Sequence, residues 1–190
     1  MKATVLNGMH GGDAVTAKVH DALLDVLEGK GWETNPFILH EVDISPCAGC
    51  FGCWVRTPGQ CVSHDSDDIA RSVIQSDLLV YLTPVTFGGY SSQLKKAVDH
   101  LIFTNLPFFR TVEGETHHRP RYDRSPNLLA ISVLPDHDAE GERNFATLVE
   151  RNAINMFAPA WAAGIITREN ANGMLRRELA SLLSKVEVGQ

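Results

Sequence analysis

The chain has 190 residues, 17 Lys and Arg against 23 Asp and Glu, and a formal charge of −6, with 44% hydrophobic and 21% charged residues. This is the composition of a folded globular domain and not of a disordered segment. The acidic balance argues against a general nucleic-acid binder, which needs a basic face. The longest apolar run, Met156 to Ile166, contains Pro159 and is too short to span a bilayer. The apolar stretch after Lys2 is cut off at Gly8 before a secretory core develops, so a cytoplasmic location is expected. At this length a single domain, 1–190, is expected.

Ala3–Leu6, ending at Asn7-Gly8, predicts a buried strand. Ala14–Leu27 places Val15, Val19, Ala22, Leu23, Val26 and Leu27 on one helical stripe and stops at Gly29 and Gly31. Thr34–Val42 is a weaker strand, confined to an edge by Pro36. A cysteine loop, 46–62, follows, and then a helix over Asp65–Ser76 with acidic residues in its first turn. Leu78–Leu82 is continuously apolar, as in a sheet covered on both faces. Ser91–Phe103 predicts a helix with Leu94, Ala97, Val98 and Leu101 inward.

Residues 105–126 break the rhythm with three Pro, four Arg and His117-His118, and predict an irregular insertion. A strand over Leu128–Leu134, a helix over Ala139–Met156, a short strand over Gly164–Thr167 and a helix over Asn172–Val186 close the chain. The alternation predicts an α/β fold with a doubly wound, five-stranded parallel sheet in three layers. In such a fold ligands bind beyond the carboxyl ends of the strands, in the loops after Leu6, Val42, Leu82 and Leu134.

Three of these loops carry chemistry. Gly8-Met9-His10-Gly11-Gly12-Asp13 runs into a helix, so it is either a phosphate cradle of backbone N–H groups, with His10, Gly11 and Gly12 at its turn, or a plain glycine turn. It has neither the Walker spacing nor the dinucleotide fingerprint. Cys47, Cys50 and Cys53 recur every third residue, and Cys61 returns after Pro58-Gly59. A structural zinc site usually pairs two separated knuckles, whereas this compact run is the spacing of an iron–sulfur site. Metal-free thiols, a zinc clip and a redox disulfide are the alternatives. The third loop, Thr83 to Ser92, offers Gly88 and Gly89 for close approach to a flat ligand and Phe87 and Tyr90 as aromatic surface; its alternative is an ordinary connection.

Together these loops resemble the flavodoxin-like NAD(P)H-dependent FMN reductases, and among them the iron–sulfur flavoproteins. The resemblance is most specific in the cysteine motif and in TPVTFGGYSSQLKKAVDH. It implies an oxidoreductase that binds FMN, with Pro84, Val85, Thr86, Phe87, Gly88 and Gly89 lining the flavin ring. It also implies that Thr16 meets the phosphate and that Cys47, Cys50, Cys53 and Cys61 hold a 4Fe–4S cluster. NAD(P)H or a reduced redox protein is the implied donor, with a homodimer or homotetramer as the assembly. A cluster-free FMN or quinone reductase and a non-enzymatic electron carrier are the rival readings. The family's Gly-Ser-Pro-Arg phosphate loop is replaced here by Gly8-Met9-His10-Gly11, and Asp13 adds a negative charge.

The remaining polar features divide in the same way. His117, His118, Arg110, Arg119, Arg121 and Arg124 are either a clamp for a nucleotide phosphate or an acidic redox partner, an arm gripping another subunit, or a solvated loop. Asp136-His137-Asp138 reads as helix capping. Met156 and Trp161 read as core or subunit contact.

Overall fold

The structure is a computed structural model that describes every residue except Glu113, Gly173 and 188–190, with no description of the Asn172 side chain. In chain order the elements are β1 (Lys2–Asn7), α1 (Ala14–Gly29), β2 (Glu33–Ile38), α2 (Gly52–Val55), α3 (Asp67–Gln75), β3 (Leu78–Pro84) and α4 (Ser92–His100). They continue with β4 (Asn105–Val112), β5 (Glu115–Pro120), β6 (Asn127–Leu134), α5 (Ala139–Met156), β7 (Trp161–Thr167) and α6 (Leu175–Glu187).

Five parallel strands form one sheet in the order β2-β1-β3-β6-β7. The apolar runs supply its middle: β6 is buried at every residue, and β3 at all but Pro84. Helices cover both faces, as runs without polar alternation require. Val19, Leu23 and Leu27 of α1 pack with Leu179 and Leu183 of α6 on one side. Ile69 of α3, Leu94 of α4, and Phe145 and Val149 of α5 pack on the other. The result is the expected flavodoxin-like, three-layer fold. From β1 the chain winds first to β2 and then, from β3, the opposite way, so the topological switch lies between β1 and β3.

Several boundaries differ from the sequence reading. The second strand ends at Ile38, because it is an edge with one partner. The last strand begins at Trp161, where pairing of Trp161 with Leu128 supplies what Ala162-Ala163-Gly164 lack in propensity. A 3-10 turn, Leu101–Thr104, replaces the end of the fourth helix. The expected start of the last helix, at 172–173, touches residues outside the description; the helix begins at Leu175.

The main correction concerns 105–126: most of 105–120 is paired as strands, and only 121–126 is irregular as expected. β4 and β5 form an antiparallel hairpin with Phe109 opposite His118 and Arg110 opposite His117. The alternation was hidden because its two faces carry aromatic and imidazole side chains instead of aliphatic ones. On one face His117 is buried, with Nδ1 3.0 Å from Asn155 Oδ1 and Nε2 3.1 Å from Glu115. On the other, His118 stacks between Phe109 and Trp54.

Asp77 ties three strand starts together. Its carboxylate accepts the Lys2 N–H at 2.9 Å and the Arg124 guanidinium at 2.6 Å, and its carbonyl accepts Asn127 N–H at 3.0 Å. The Lys2 N–H holds the Asp77 carboxyl below its usual range, with Arg124 adding to it against a burial effect of opposite sign. A depressed folded pKa contributes stability above the unfolded value near 3.9, and that contribution disappears as pH falls through the folded value. Asp77→Asn should therefore cost about 0.5–1 kcal/mol at pH 7, discounted for partial exposure. Urea midpoints should converge with wild type towards pH 2.5, and an equal gap at both pH values contradicts this account.

Candidate functional site

At the switch point the first and third loops are locked side by side. Gly8 N–H donates to Leu82 O at 2.8 Å, and Ser91 Oγ donates to Gly8 O at 2.5 Å. Ser91 also caps α4 by accepting Leu94 N–H at 3.2 Å. A Cβ on Gly8 would lie 2.6 Å from both Leu94 Cβ and Ser91 Oγ, so this close approach requires glycine.

Beyond it, Thr86 and Gly89 exchange two backbone hydrogen bonds of 3.0 Å, closing a turn with Phe87 (φ 50°) and Gly88 (φ 77°) at its tip. Positive φ at a bulky residue is an outlier that surrounding contacts must hold, and such residues cluster at ligand sites. Phe87 is fully exposed, Pro84, Val85 and Thr86 are half-buried, and space around Gly88 is open. Tyr90 returns the chain to the core, edge-on to Tyr81 and Phe145. Its buried hydroxyl has no partner among the described residues, and burial pushes its pKa up. The open, weakly polar turn fits a flat flavin ring.

The glycine-rich loop is arranged differently. His10, Gly11 and Gly12 are exposed, and Gly12 takes φ 84° to turn into α1. Asp13 is the N-cap: Oδ1 accepts Thr16 N–H at 3.0 Å and Oδ2 accepts the Thr16 hydroxyl at 2.5 Å. Thr16 is buried with both of these donors committed to a carboxylate. Thr16 as arranged thus offers neither donor to a phosphate, and Asp13 sets a carboxylate beside the loop.

The four cysteines line one cavity of about 410 Å³, together with Ser45, Phe51, Val62, Asp99, His100 and Ile102. Gly49 (φ 63°) and Phe51 (φ 52°) reverse the chain between successive cysteines, and Gly52 N–H reaches Cys50 Sγ at 3.5 Å. Cys53, on the short helix α2, is buried, whereas Cys50 is exposed. Burial pushes the Cys53 thiol up, and the neighbouring Cys61, Cys47 and Cys50 push it further. Three thiols around a buried fourth whose ionisation they disfavour form a donor set that a cationic centre relieves, and they fit an iron–sulfur cluster.

A polar clasp that the sequence reading missed joins the two ends of this loop. His100, buried at the end of α4, has Nε2 2.9 Å from Ser45 O and Nδ1 3.0 Å from Ser66 Oγ. Asp65 accepts Ser45 N–H at 3.0 Å and the Ser63 hydroxyl at 2.7 Å, and Ser63 Oγ lies 3.2 Å from Cys61 Sγ. Burial pushes the Asp65 carboxyl up, but Ser63, Ser45 and His100 outweigh it and leave it below its usual range. The only local signal was a histidine on the apolar face of a helix, beside Ala97 and Leu101. Trp54 adds a second anchor, donating from Nε1 to Asn105 O at 2.9 Å and stacking on Phe51.

The cysteine loop leaves the carboxyl edge of the sheet after β2 and meets the last residues of α4, whereas the Phe87 turn precedes that helix. α4 itself has nine residues and is on the order of 13 Å long.

Elsewhere the basic hairpin is largely spent on the chain itself. Arg121 donates to Phe103 O at 2.7 Å, Arg124 pairs with Asp77, and Arg110 sits 4.3 Å over the Phe157 ring. Asp138 caps α5, as expected, by accepting Glu140 and Gly141 N–H. Met156 accepts the Tyr81 hydroxyl at 3.2 Å, while Trp161 is exposed at the sheet edge.

A doubly wound sheet with an open turn at its switch point defines the flavodoxin-like class. Within that class, residues 1–122 match the family model for NADPH-dependent FMN reductase, and the chain belongs to that family. It is 30% identical over 103 residues to an iron-sulfur flavoprotein of Archaeoglobus fulgidus, covering 54% of this chain and 46% of that protein. It is 35% identical over 85 residues to one from Methanocaldococcus jannaschii, covering 44% and 42%. The chain thus matches about half the length of these relatives. The NAD(P)H:quinone oxidoreductase from Methanothermobacter marburgensis superimposes with a TM-score of 0.70 at 11% identity, over 100% of this chain and 94% of that one. An FMN-dependent NADH-azoreductase from Bacillus anthracis, in complex with FMN, gives 0.63 at 13% identity, over 100% and 99%. At such identities these structures show the shared fold.

Proposed function

We propose that the protein is an FMN-dependent oxidoreductase whose flavin ring lies against Pro84–Gly89 and whose four cysteines hold one 4Fe–4S cluster. The observation that carries the reading is the convergence of Cys47, Cys50, Cys53 and Cys61 on one cavity, in a chain of the FMN reductase family. When bound, the flavin exchanges a hydride or single electrons and the cluster single electrons. The protein's part is to orient and insulate. The Phe87-Gly88 turn presents backbone and an aromatic face, the Asp65–His100 clasp holds the cysteine loop closed, and burial of Cys53 keeps water from one side of the cavity.

NAD(P)H or a reduced redox protein is the proposed donor, and a symmetric homo-oligomer in the cytoplasm the proposed setting. No helix among the described residues is long and apolar enough to cross a membrane. The test is anaerobic purification with absorption spectroscopy, flavin release on denaturation, and iron and sulfide analysis. Released flavin and about four iron per chain are expected. Flavin without iron after reconstitution leaves a cluster-free reductase, and a colourless protein holding zinc overturns both parts.

A further inference from the structure

The last of the four cysteines opens a turn that brings a hydroxyl back onto its sulfur. His64 N–H donates to Cys61 O at 3.4 Å, with His64 in the left-handed region at φ 60°. The Asp67 carboxylate holds both sides of this turn, accepting from Gln60 Nε2 at 2.8 Å and lying 2.9 Å from His64 Nδ1. Ser63 Oγ is thereby set 3.2 Å from Cys61 Sγ and 2.7 Å from Asp65 Oδ1. A serine hydroxyl has one proton to give. Beside a ligating sulfur, which carries no proton, it has two acceptors to serve. Asp65 already accepts Ser45 N–H at 3.0 Å and has His100 Nδ1 3.8 Å away, so it does not depend on Ser63 alone. Ser63 is exposed, and the core does not rest on its side chain.

We infer that Ser63 is a positioning residue for the electron-transfer centre: its hydroxyl proton is shared between Asp65 and the Cys61 sulfur and eases reduction of the centre that Cys61 ligates. Negative charge on a ligating sulfur grows on reduction, so a donor beside it is worth more in the reduced state and raises the potential. The expected size is that of a single hydrogen bond, about threefold to tenfold in the ratio of the two redox states. The inference rests on the cluster reading above and adds a residue that tunes the potential of that site.

The experiment is an anaerobic redox titration of the reconstituted protein, read by the electron paramagnetic resonance signal of the reduced cluster, with iron and sulfide measured on the same samples. Ser63→Ala should keep the wild-type iron and sulfide content and shift the midpoint to a more negative potential. At the wild-type midpoint its reduced fraction should fall from half to about a quarter or less, the threefold change in ratio. Ser63→Thr, which keeps a hydroxyl, should stay closer to wild type than Ser63→Ala. A smaller change in Ser63→Ala at full iron content overturns the inference and leaves the cluster reading intact. A shift in Ser63→Thr as large as that in Ser63→Ala also overturns it, because the hydroxyl is then not the cause, as does loss of iron in Ser63→Ala. Wild-type protein without iron overturns the cluster reading and this inference together.

Discussion

Cys50→Ala should empty the cysteine cavity of iron while leaving the fold unaltered. Cys50 is exposed, so its removal creates no core cavity, and its effect reports on ligation. Because a cubane is held by all four thiolates, loss of one should lower iron and sulfide after anaerobic reconstitution by most of the wild-type amount, with loss of the broad visible absorption. The thermal midpoint of the metal-free protein should change by no more than about 2 °C, since an exposed side chain contributes little to stability. Cys47→Ala, Cys53→Ala and Cys61→Ala should give the same iron loss, and Cys53→Ala should add a modest stability cost because that side chain is buried. Full iron content in any one of the four variants refutes ligation by that cysteine.

Gly88→Val should weaken flavin binding at least as strongly as any single side-chain removal in that loop. Gly88 sits at φ 77° with open space around it, so the obstacle is conformational and not steric crowding. An L-residue pays roughly 1–2 kcal/mol in the left-handed region, and a β-branched one more. The loop relieves that strain by opening the paired Thr86–Gly89 turn, which corresponds to about a tenfold or larger loss of affinity. Gly89→Ala is the contrasting variant: its Cβ would meet Leu148 Cδ2 at 3.7 Å and Thr86 O at 4.0 Å, both ordinary contacts. Wild-type flavin affinity in Gly88→Val, by fluorescence titration, removes the turn from the binding site.

The two cases show how differently parts of the site were encoded. Gly88 and the three closely spaced cysteines act through contacts within a few residues, so composition and spacing expose them. His100 and Asp65 act across 55 and 20 residues on the same segment, Ser45. The one local sign is that His100 falls on the apolar face of its helix beside Ala97 and Leu101, and Asp65 has none. Thr16 shows the converse: its position in the chain suited a phosphate ligand, but a side chain three residues earlier claims its hydroxyl.

By itself, the sequence determined the alternating elements, because apolar runs and helical stripes record which faces are buried. It also determined the turn chemistry at Gly12 and Gly88 and the grouping of Cys47, Cys50 and Cys53. Tertiary structure alone decided that 105–120 pairs as a hairpin, since each face finds its partner in Trp54 or Asn155, far away in the chain. It also decided that the cysteine loop meets the last residues of α4. Local spacing states which residues a single turn can bring together; which distant segment they meet depends on the packing of the whole sheet and its helices.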